Sequence, residues 1–267
     1  MILLLSPAKT LDYDSPTEVR ARGKPLFMSE AAELVELLRP RTPAELSGLM
    51  DLSDALAALN VGRYAAWSPR STVRNSRAAL LAFAGDVYEG LQAASLGADD
   101  LAWAQDHLVI LSGLYGALRP LDPLQPYRLE MGTRLPNARG KDLYAFWRDR
   151  LAAYLNQRQA REAAPVVVNL ASQEYFRAVD TRVLKARVVE CVFEDLKARQ
   201  WKVISFYAKR ARGAMARHAI RHRVADVEQL KAFDGEGYTW DAGVSTRDRW
   251  VFRRSGPPAA APATMQP

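Results

Sequence analysis

The chain has 267 residues, a net charge of +7 and a hydrophobic fraction of 49%, which is the composition of a folded protein with a large core and excludes wholesale disorder. No apolar run approaches the roughly 18–20 residues that cross a bilayer. A lone cysteine, Cys191, excludes an internal disulfide and fits a reducing cytoplasm.

Met1-Ile2-Leu3-Leu4-Leu5 lacks a basic leader and is too short for a signal segment. It reads as a first strand that feeds the turn Ser6-Pro7-Ala8-Lys9. Helices are predicted over Glu30–Leu38, Pro43–Met50, Ser76–Gln92 and Asp99–Gln105. The apolar run Leu108–Leu111 then enters Ser112-Gly113-Leu114-Tyr115-Gly116. Leu143, Phe146, Trp147, Leu151, Tyr154 and Leu155 follow at steps of three and four, on one helical face. Val166–Leu170 repeats the strand-then-turn pattern by entering Ala171-Ser172-Gln173-Glu174. Further strands are predicted at Val188–Phe193, whose valines and phenylalanine bury Cys191, and at Val203–Tyr207. An Arg-rich helix over Lys209–Arg223 and an alternating edge strand at Trp250–Phe252 complete the order.

Continuous apolar strands suit a sheet covered on both faces, and alternation with helices makes that sheet largely parallel. The class is therefore mixed α/β, a largely parallel central sheet flanked by helices. Residues 1–254 read as a single α/β domain with an all-helical insertion at about 28–107, and 255–267, rich in Pro and Ala without charge, as a disordered tail.

In such sheets ligands collect beyond the carboxyl ends of the strands. If the strands are co-aligned, that crevice gathers Ser6, Lys9, Thr10, Ser112, Tyr115, Asn169, Ser172 and Glu174. Ser172 reads equally as a helix N-cap or as a catalytic serine. The proline-broken stretch Leu114–Leu135 adds Arg119, Tyr127, Arg128, Glu130 and Arg134. A long ordered loop with clustered polar groups usually has a task, although Arg128 and Glu130 could simply pair. The candidates for acid, base or nucleophile are Lys9, Tyr127, Arg128, Glu130, Ser172 and Lys209. Those for holding an anion are Ser6, Lys9, Ser112, Tyr115, Arg128, Lys141, Asn169 and Ser172. Two lysines in one pocket would repel, and partial burial would ease the loss of a proton.

No phosphate-binding glycine loop, dinucleotide fingerprint or paired-cysteine site is present. His218 and His222 have the i, i+4 spacing of a metal pair, but Arg217, Arg221 and Arg223 surround them and would repel a dication. Neither a metal nor a cofactor is expected.

From Trp201 to Arg223 there is no Asp or Glu, while Lys202, Lys209, Arg210, Arg212, Arg217, Arg221 and Arg223 carry seven positive charges, the whole chain's excess. At about 100° per residue, Arg210, Arg217 and Arg221 share one arc, and Lys209, Arg212 and Arg223 another. Such a stripe suits phosphate oxygens, either of DNA or of a small phosphorylated ligand in the crevice; the bland alternative is a solvated face. Leu46–Ala57 also follows the helix-hairpin-helix outline LxxLPGIGxxxA within 44–60, with Met50 for Pro and Asp51 and Ser53 for both glycines. That outline offers Leu52 and Ser53 to a phosphate through backbone N–H groups.

Several strings together resemble the bacterial YaaA peroxide-stress family. They are Ser6-Pro7-Ala8-Lys9-Thr10-Leu11-Asp12-Tyr13; Leu111 through Asp122 running into Pro126-Tyr127-Arg128-Leu129-Glu130-Met131-Gly132; Gly140-Lys141-Asp142-Leu143-Tyr144-Ala145-Phe146-Trp147; Asn169-Leu170-Ala171-Ser172 with Glu174-Tyr175-Phe176; and Ile204 through Lys209 with Ala211-Arg212-Gly213 and Glu236-Gly237-Tyr238. The resemblance covers about residues 1–253. It implies a cytoplasmic protein that protects against hydrogen peroxide by limiting unincorporated iron and the DNA damage iron causes. It also implies an unusual α/β fold with a positively charged cleft, a helix-hairpin-helix and double-stranded DNA as partner. The residues add that binding to DNA would not be sequence-specific, since no base-reading motif is present. The rival reading is an enzyme acting on a phosphorylated or nucleotide-like ligand, a small anion held in the Lys- and Arg-lined crevice.

Overall fold

A computed structural model describes residues 1–256; residues 257–267 of the expected tail lie outside the described residues. Chain order begins β1 (Ile2–Leu5), β2 (Thr10–Leu11), α1 (Met28–Leu38), α2 (Pro43–Met50), α3 (Asp54–Ala66), β3 (Arg77–Ala78), α4 (Ala79–Ala82), β4 (Phe83–Ala84) and α5 (Asp86–Leu91). It continues with α6 (Ala98–His107), β5 (Leu108–Ser112), β6 (Gly116–Leu118), β7 (Pro123–Leu124), α7 (Leu143–Trp147), α8 (Arg150–Arg158), β8 (Val166–Asn169) and α9 (Gln173–Phe176). The last elements are β9 (Arg187–Lys197), β10 (Gln200–Lys202), α10 (Ser205–Arg221), β11 (Thr239–Trp240) and β12 (Arg249–Arg254).

The main sheet runs β11-β12-β9-β8-β1-β5-β6, with β10 hairpinned onto β9. The five inner strands β5, β1, β8, β9 and β12 are mutually parallel. Antiparallel β6, β10 and β11 are the additions. Burial explains the strand composition: Leu3, Leu4, Leu5, Val109, Ile110, Val167 and Val168 are fully covered, as strands sandwiched between helices must be. Counting only parallel strands, the order is 2-1-3-4-5, and the direction of winding reverses between β1 and β8. A crevice opens at such a reversal, because the connections leave to opposite faces.

Local structure departs from expectation in four places, each for a readable reason. Ser76–Gln92 is no single helix but β3, α4, β4 and α5. Ala78–Phe83 has no polar face and is wholly buried, so its backbone bonds to neighbouring loops, with Ala79 and Leu80 N–H donating to the Asp122 and Pro120 carbonyls. Val203–Tyr207 is not a strand; β9 pairs instead with β10 across an Ala198-Arg199 turn whose φ angles are both positive, 51° and 61°. That is the twist two-residue hairpins favour, but without the Asn or Gly that would signal it. The apolar face from Leu143 to Leu155 is buried as expected, yet its helix breaks at Arg148, with φ 38°. Trp250–Phe252 is not an edge, since β12 lies between β9 and the two-residue β11.

The long helix α10 is pressed onto α5 at two glycines. A methyl group on Gly213 would overlap the Val87 carbonyl, and one on Gly90 the Arg210 carbonyl. Only glycine permits so close a backbone approach. This contact sets Lys209 and Arg212 above the ends of β1 and β8.

Candidate functional site

At the β1/β8 reversal the structure holds a cleft of about 380 Å³. Ser6 and Lys9 reach it from the turn after β1, and Ser172 and Glu174 from the turn and helix after β8. Asp86 enters from the start of α5, Lys209 and Arg212 from α10, and Glu130 from the proline-broken loop.

The two turns are bolted together beneath the cleft. Ser6 Oγ accepts from the Ser172 N–H at 2.9 Å and donates to Ser172 Oγ at 3.3 Å. Tyr88 hydroxyl donates to the Ser6 carbonyl at 3.1 Å. Ser172 occupies the N-cap position of α9, but its side chain makes no cap bond there; its hydroxyl faces Ser6 instead. Glu174 is anchored by the Gly132 N–H at 2.9 Å.

Charge in the cleft is arranged as cation beside carboxylate. Lys9 Nζ lies 2.9 Å from Glu130, whose other oxygen takes the Arg128 guanidinium at 2.7 Å. Burial raises the Glu130 pKa, but hydrogen bonds from Lys9 and Arg128 outweigh it, and the carboxyl is held below its ordinary value. Lys209 Nζ is 3.8 Å from Asp86. Arg212 is largely covered; burial pulls its pKa down, with Glu190 opposing, and its Nε finds no acceptor among the described residues. A guanidinium nevertheless stays charged, so Arg212 is a cation whose fork is incompletely used.

Of the residues expected at the crevice, Ser6, Lys9, Thr10, Ser172 and Glu174 line it, with Glu130 and Lys209, and Arg128 stands behind Glu130. Ser112, Tyr115, Asn169 and Tyr127 do not reach the cavity. They are buried below it and satisfy one another or nearby groups: Ser112 Oγ and Tyr127 hydroxyl are hydrogen-bonded at 2.6 Å, Tyr115 hydroxyl accepts from Trp67 Nε1 at 2.9 Å, and Asn169 Oδ1 accepts from the Ala171 N–H at 3.0 Å. Burial pushes the Tyr115 phenol up to about 12 and that of Tyr127 higher still, so both keep their protons. Lys141 is exposed just before α7, away from the cleft lining. Asp86 and the backbone around Gly85 also line the cleft, which one helix over Ser76–Gln92 does not anticipate; the Gly85-Asp86 pair inside an apolar run is the signal for them.

The arginine stripe of α10 is largely engaged within the protein. Arg210 pairs with Glu236 at 2.9 Å and Glu89 at 3.7 Å. Arg217 donates to the Leu91 and Gln92 carbonyls and to Ser95 Oγ, at 2.8–3.1 Å. Arg221 and Arg223 clasp Asp100 at 3.0 and 2.7 Å. The His218 and His222 rings lie with centroids 4.4 Å apart, tilted by 41°, and burial and the neighbouring ring press the His218 pKa down. Among the described residues no group of three or more His, Cys, Asp or Glu converges as a metal site, and no helix is long and apolar enough to cross a membrane.

Helices α2 and α3 form a hairpin through Asp51, Leu52 and Ser53. Asp51 takes the left-handed C-cap conformation, φ 52°, Leu52 is buried, and Ser53 is the N-cap of α3 without a side-chain cap bond. The first N–H groups of α3 therefore lack that hydroxyl as acceptor.

The chain is 61% identical to the UPF0246 protein of Bordetella avium, over 95% of this chain and 99% of that one. It is 63% identical to the UPF0246 proteins of Paracidovorax citrulli and Leptothrix cholodnii, over 95% of this chain and 98% of each relative. The family model described as peroxide stress protein YaaA matches residues 1–243, and so takes in every segment that walls the cleft: this chain belongs to the YaaA family of peroxide stress proteins.

Proposed function

We propose that the protein acts in the cytoplasm under peroxide stress by binding double-stranded DNA without sequence preference, and so limits iron-mediated damage to it. The observation that carries this reading is the convergence of Lys9, from the turn after β1, with Lys209 and Arg212, from α10, on a cleft at the β1/β8 reversal. Cations gathered there are placed for a phosphate group. The hairpin supports the same reading, since the N-terminus of α3 presents N–H donors and the positive end of a helix dipole.

A second reading draws on the carboxylates. Glu130 and Asp86 beside the lysines, with the Ser6–Ser172 pair on the same wall, exceed what anion binding requires. They suit an enzyme acting on a phosphorylated or nucleotide-like ligand.

Lys9→Met separates the two, because Lys9 is two-thirds exposed and its stem contributes little to the core. On the DNA-binding reading, peroxide survival of cells and DNA affinity of the purified variant fall together. On the enzyme reading, survival is lost while affinity stays. A folded Lys9→Met that alters neither removes the cleft from function altogether.

A further inference from the structure

The charge that α10 contributes is mostly matched inside the fold, and unmatched cations gather elsewhere. A groove of about 660 Å³ runs between the segment 13–23 on one side and the loop 71–78 on the other. Arg20 projects from the first wall, Arg74 and Arg77 from the second, and no Asp or Glu is among the lining residues. Arg20 and Arg74 are exposed and make no ion pair among the described residues, while Arg77 pairs with Asp12 at 4.0 Å. Arg77 Nε has no acceptor among the described residues. Ser71 adds a hydroxyl to the same wall, whereas those of Thr72 and Ser76 donate inside the loop, to Asn75 Oδ1 and the Thr72 carbonyl.

The loop is organised before any ligand arrives. Asn75 Oδ1 accepts from the Thr72 N–H at 2.6 Å and its Nδ2 donates to the Arg70 carbonyl at 3.0 Å. Ser76 Oγ closes onto the Thr72 carbonyl at 2.7 Å, and Arg77 ties the loop across the groove to the Ser15 carbonyl at 2.6 Å. Exposed Arg20 and Arg74 on two facing walls, with the unused Nε of Arg77 on the second, form a site for oxyanions in a row.

The groove also adjoins the cleft. The β2–β4 pair links them, with Thr10 and Ala84 on the cleft and Tyr13 and Ala78 on the groove. From Thr10 to Tyr13 is at most about 11 Å of extended chain, a span of two or three nucleotides at about 3.4 Å per step.

We infer that this groove is a second binding site, which takes the phosphodiester backbone of a nucleic acid whose phosphate two or three nucleotides along reaches the Lys9/Lys209/Arg212 cleft. The inference rests on the DNA-binding reading above and adds where the backbone runs. The groove lining offers guanidiniums and hydroxyls but no exposed aromatic platform; Tyr13 hydroxyl is held by the Leu124 carbonyl at 2.5 Å. It therefore grips the backbone and leaves bases unread.

The test compares wild type with the double variant Arg20→Ala/Arg74→Ala in fluorescence anisotropy on a short labelled DNA duplex, over roughly 50–200 mM salt. A control of equal charge is Arg161→Ala/Lys185→Ala, two exposed residues near the amino ends of β8 and β9, at the opposite end of the strands. The groove variant should melt as wild type does, bind roughly tenfold or more weakly at low salt, and show a log–log salt slope shallower by about one to two. The control should keep the wild-type slope. Duplex binding by the groove variant with unchanged slope and affinity overturns the groove while sparing the DNA-binding reading, and so does an equal shift in the control. Displacement of the duplex by inorganic phosphate at comparable concentration marks a small-anion site and also overturns the inference. A wild-type chain that fails to bind duplex at low salt overturns both.

Discussion

Glu130 holds two cations at once, Lys9 and Arg128, and this shared carboxylate is where the cleft's geometry and its stability meet. Its pKa is lower folded than unfolded, so ionised Glu130 stabilises the fold above the ordinary carboxylate range, and that contribution disappears as pH falls through the folded value. Glu130→Gln should therefore lower stability at neutral pH by about 1–2 kcal/mol, and the melting temperature with it. The gap to wild type should close in acid, as followed by thermal melts across pH. A gap independent of pH would mean that the side chain acts by packing alone. Cys191 makes the opposite case, a reactive group withheld. It is buried in β9, and burial pushes its thiol up to about 12. Since the thiolate is the nucleophile, peroxide should leave Cys191 unoxidised in the folded protein, as mass spectrometry after mild treatment would show. Modification should appear only when denaturant is added.

Among elements, the α5–α10 crossing is the most sharply determined. Gly213→Ala meets backbone, which cannot yield as a flexible side chain would, so overpacking should cost about 3 kcal/mol or more. For a chain of this size that is a melting-temperature loss of about 6–12 °C. Gly48→Ala provides the contrast, because its added methyl meets open space and helix α2 gains propensity. The α2–α3 hairpin responds in the other direction. Asp51 sits in the left-handed region, where glycine is at ease, so Asp51→Gly should stabilise by about 0.5–1 kcal/mol, about 1–4 °C. If the hairpin touches DNA phosphates, the same change should also tighten binding, by removing a carboxylate beside them. A rise in melting temperature with unaltered affinity would leave the hairpin as a connection only.

At the scale of the whole molecule, the question is which charges face outward. Arg217 closes carbonyls at the end of α5, and Arg221 joins Asp100 of α6, so both tie α10 to the helices beneath it. Arg217→Ala with Arg221→Ala should lower the melting temperature by about 2–4 °C, since half-exposed contacts contribute about 1 kcal/mol together. The salt slope of DNA binding should stay within about half a unit of wild type, whereas a clear flattening would return the α10 stripe to the binding face.

Much of this protein was legible without its fold. The apolar runs at Ile2–Leu5, Leu108–Leu111 and Val166–Val168 marked central parallel strands, because burial on both faces leaves its trace in consecutive residues. The turns that follow β1 and β8 followed from the same pattern, and with them Ser6, Lys9, Ser172 and Glu174 at the cleft. What the tertiary structure decided was which polar groups remain available. Ser112, Tyr115 and Tyr127 looked like cleft residues and are satisfied below it, and Arg217 finds its acceptors more than 120 residues away in sequence. Hydrophobic burial acts residue by residue along the chain and can be read locally. The pairing of a charge or a hydrogen bond depends on what the fold brings within about 4 Å, and only the assembled molecule determines that.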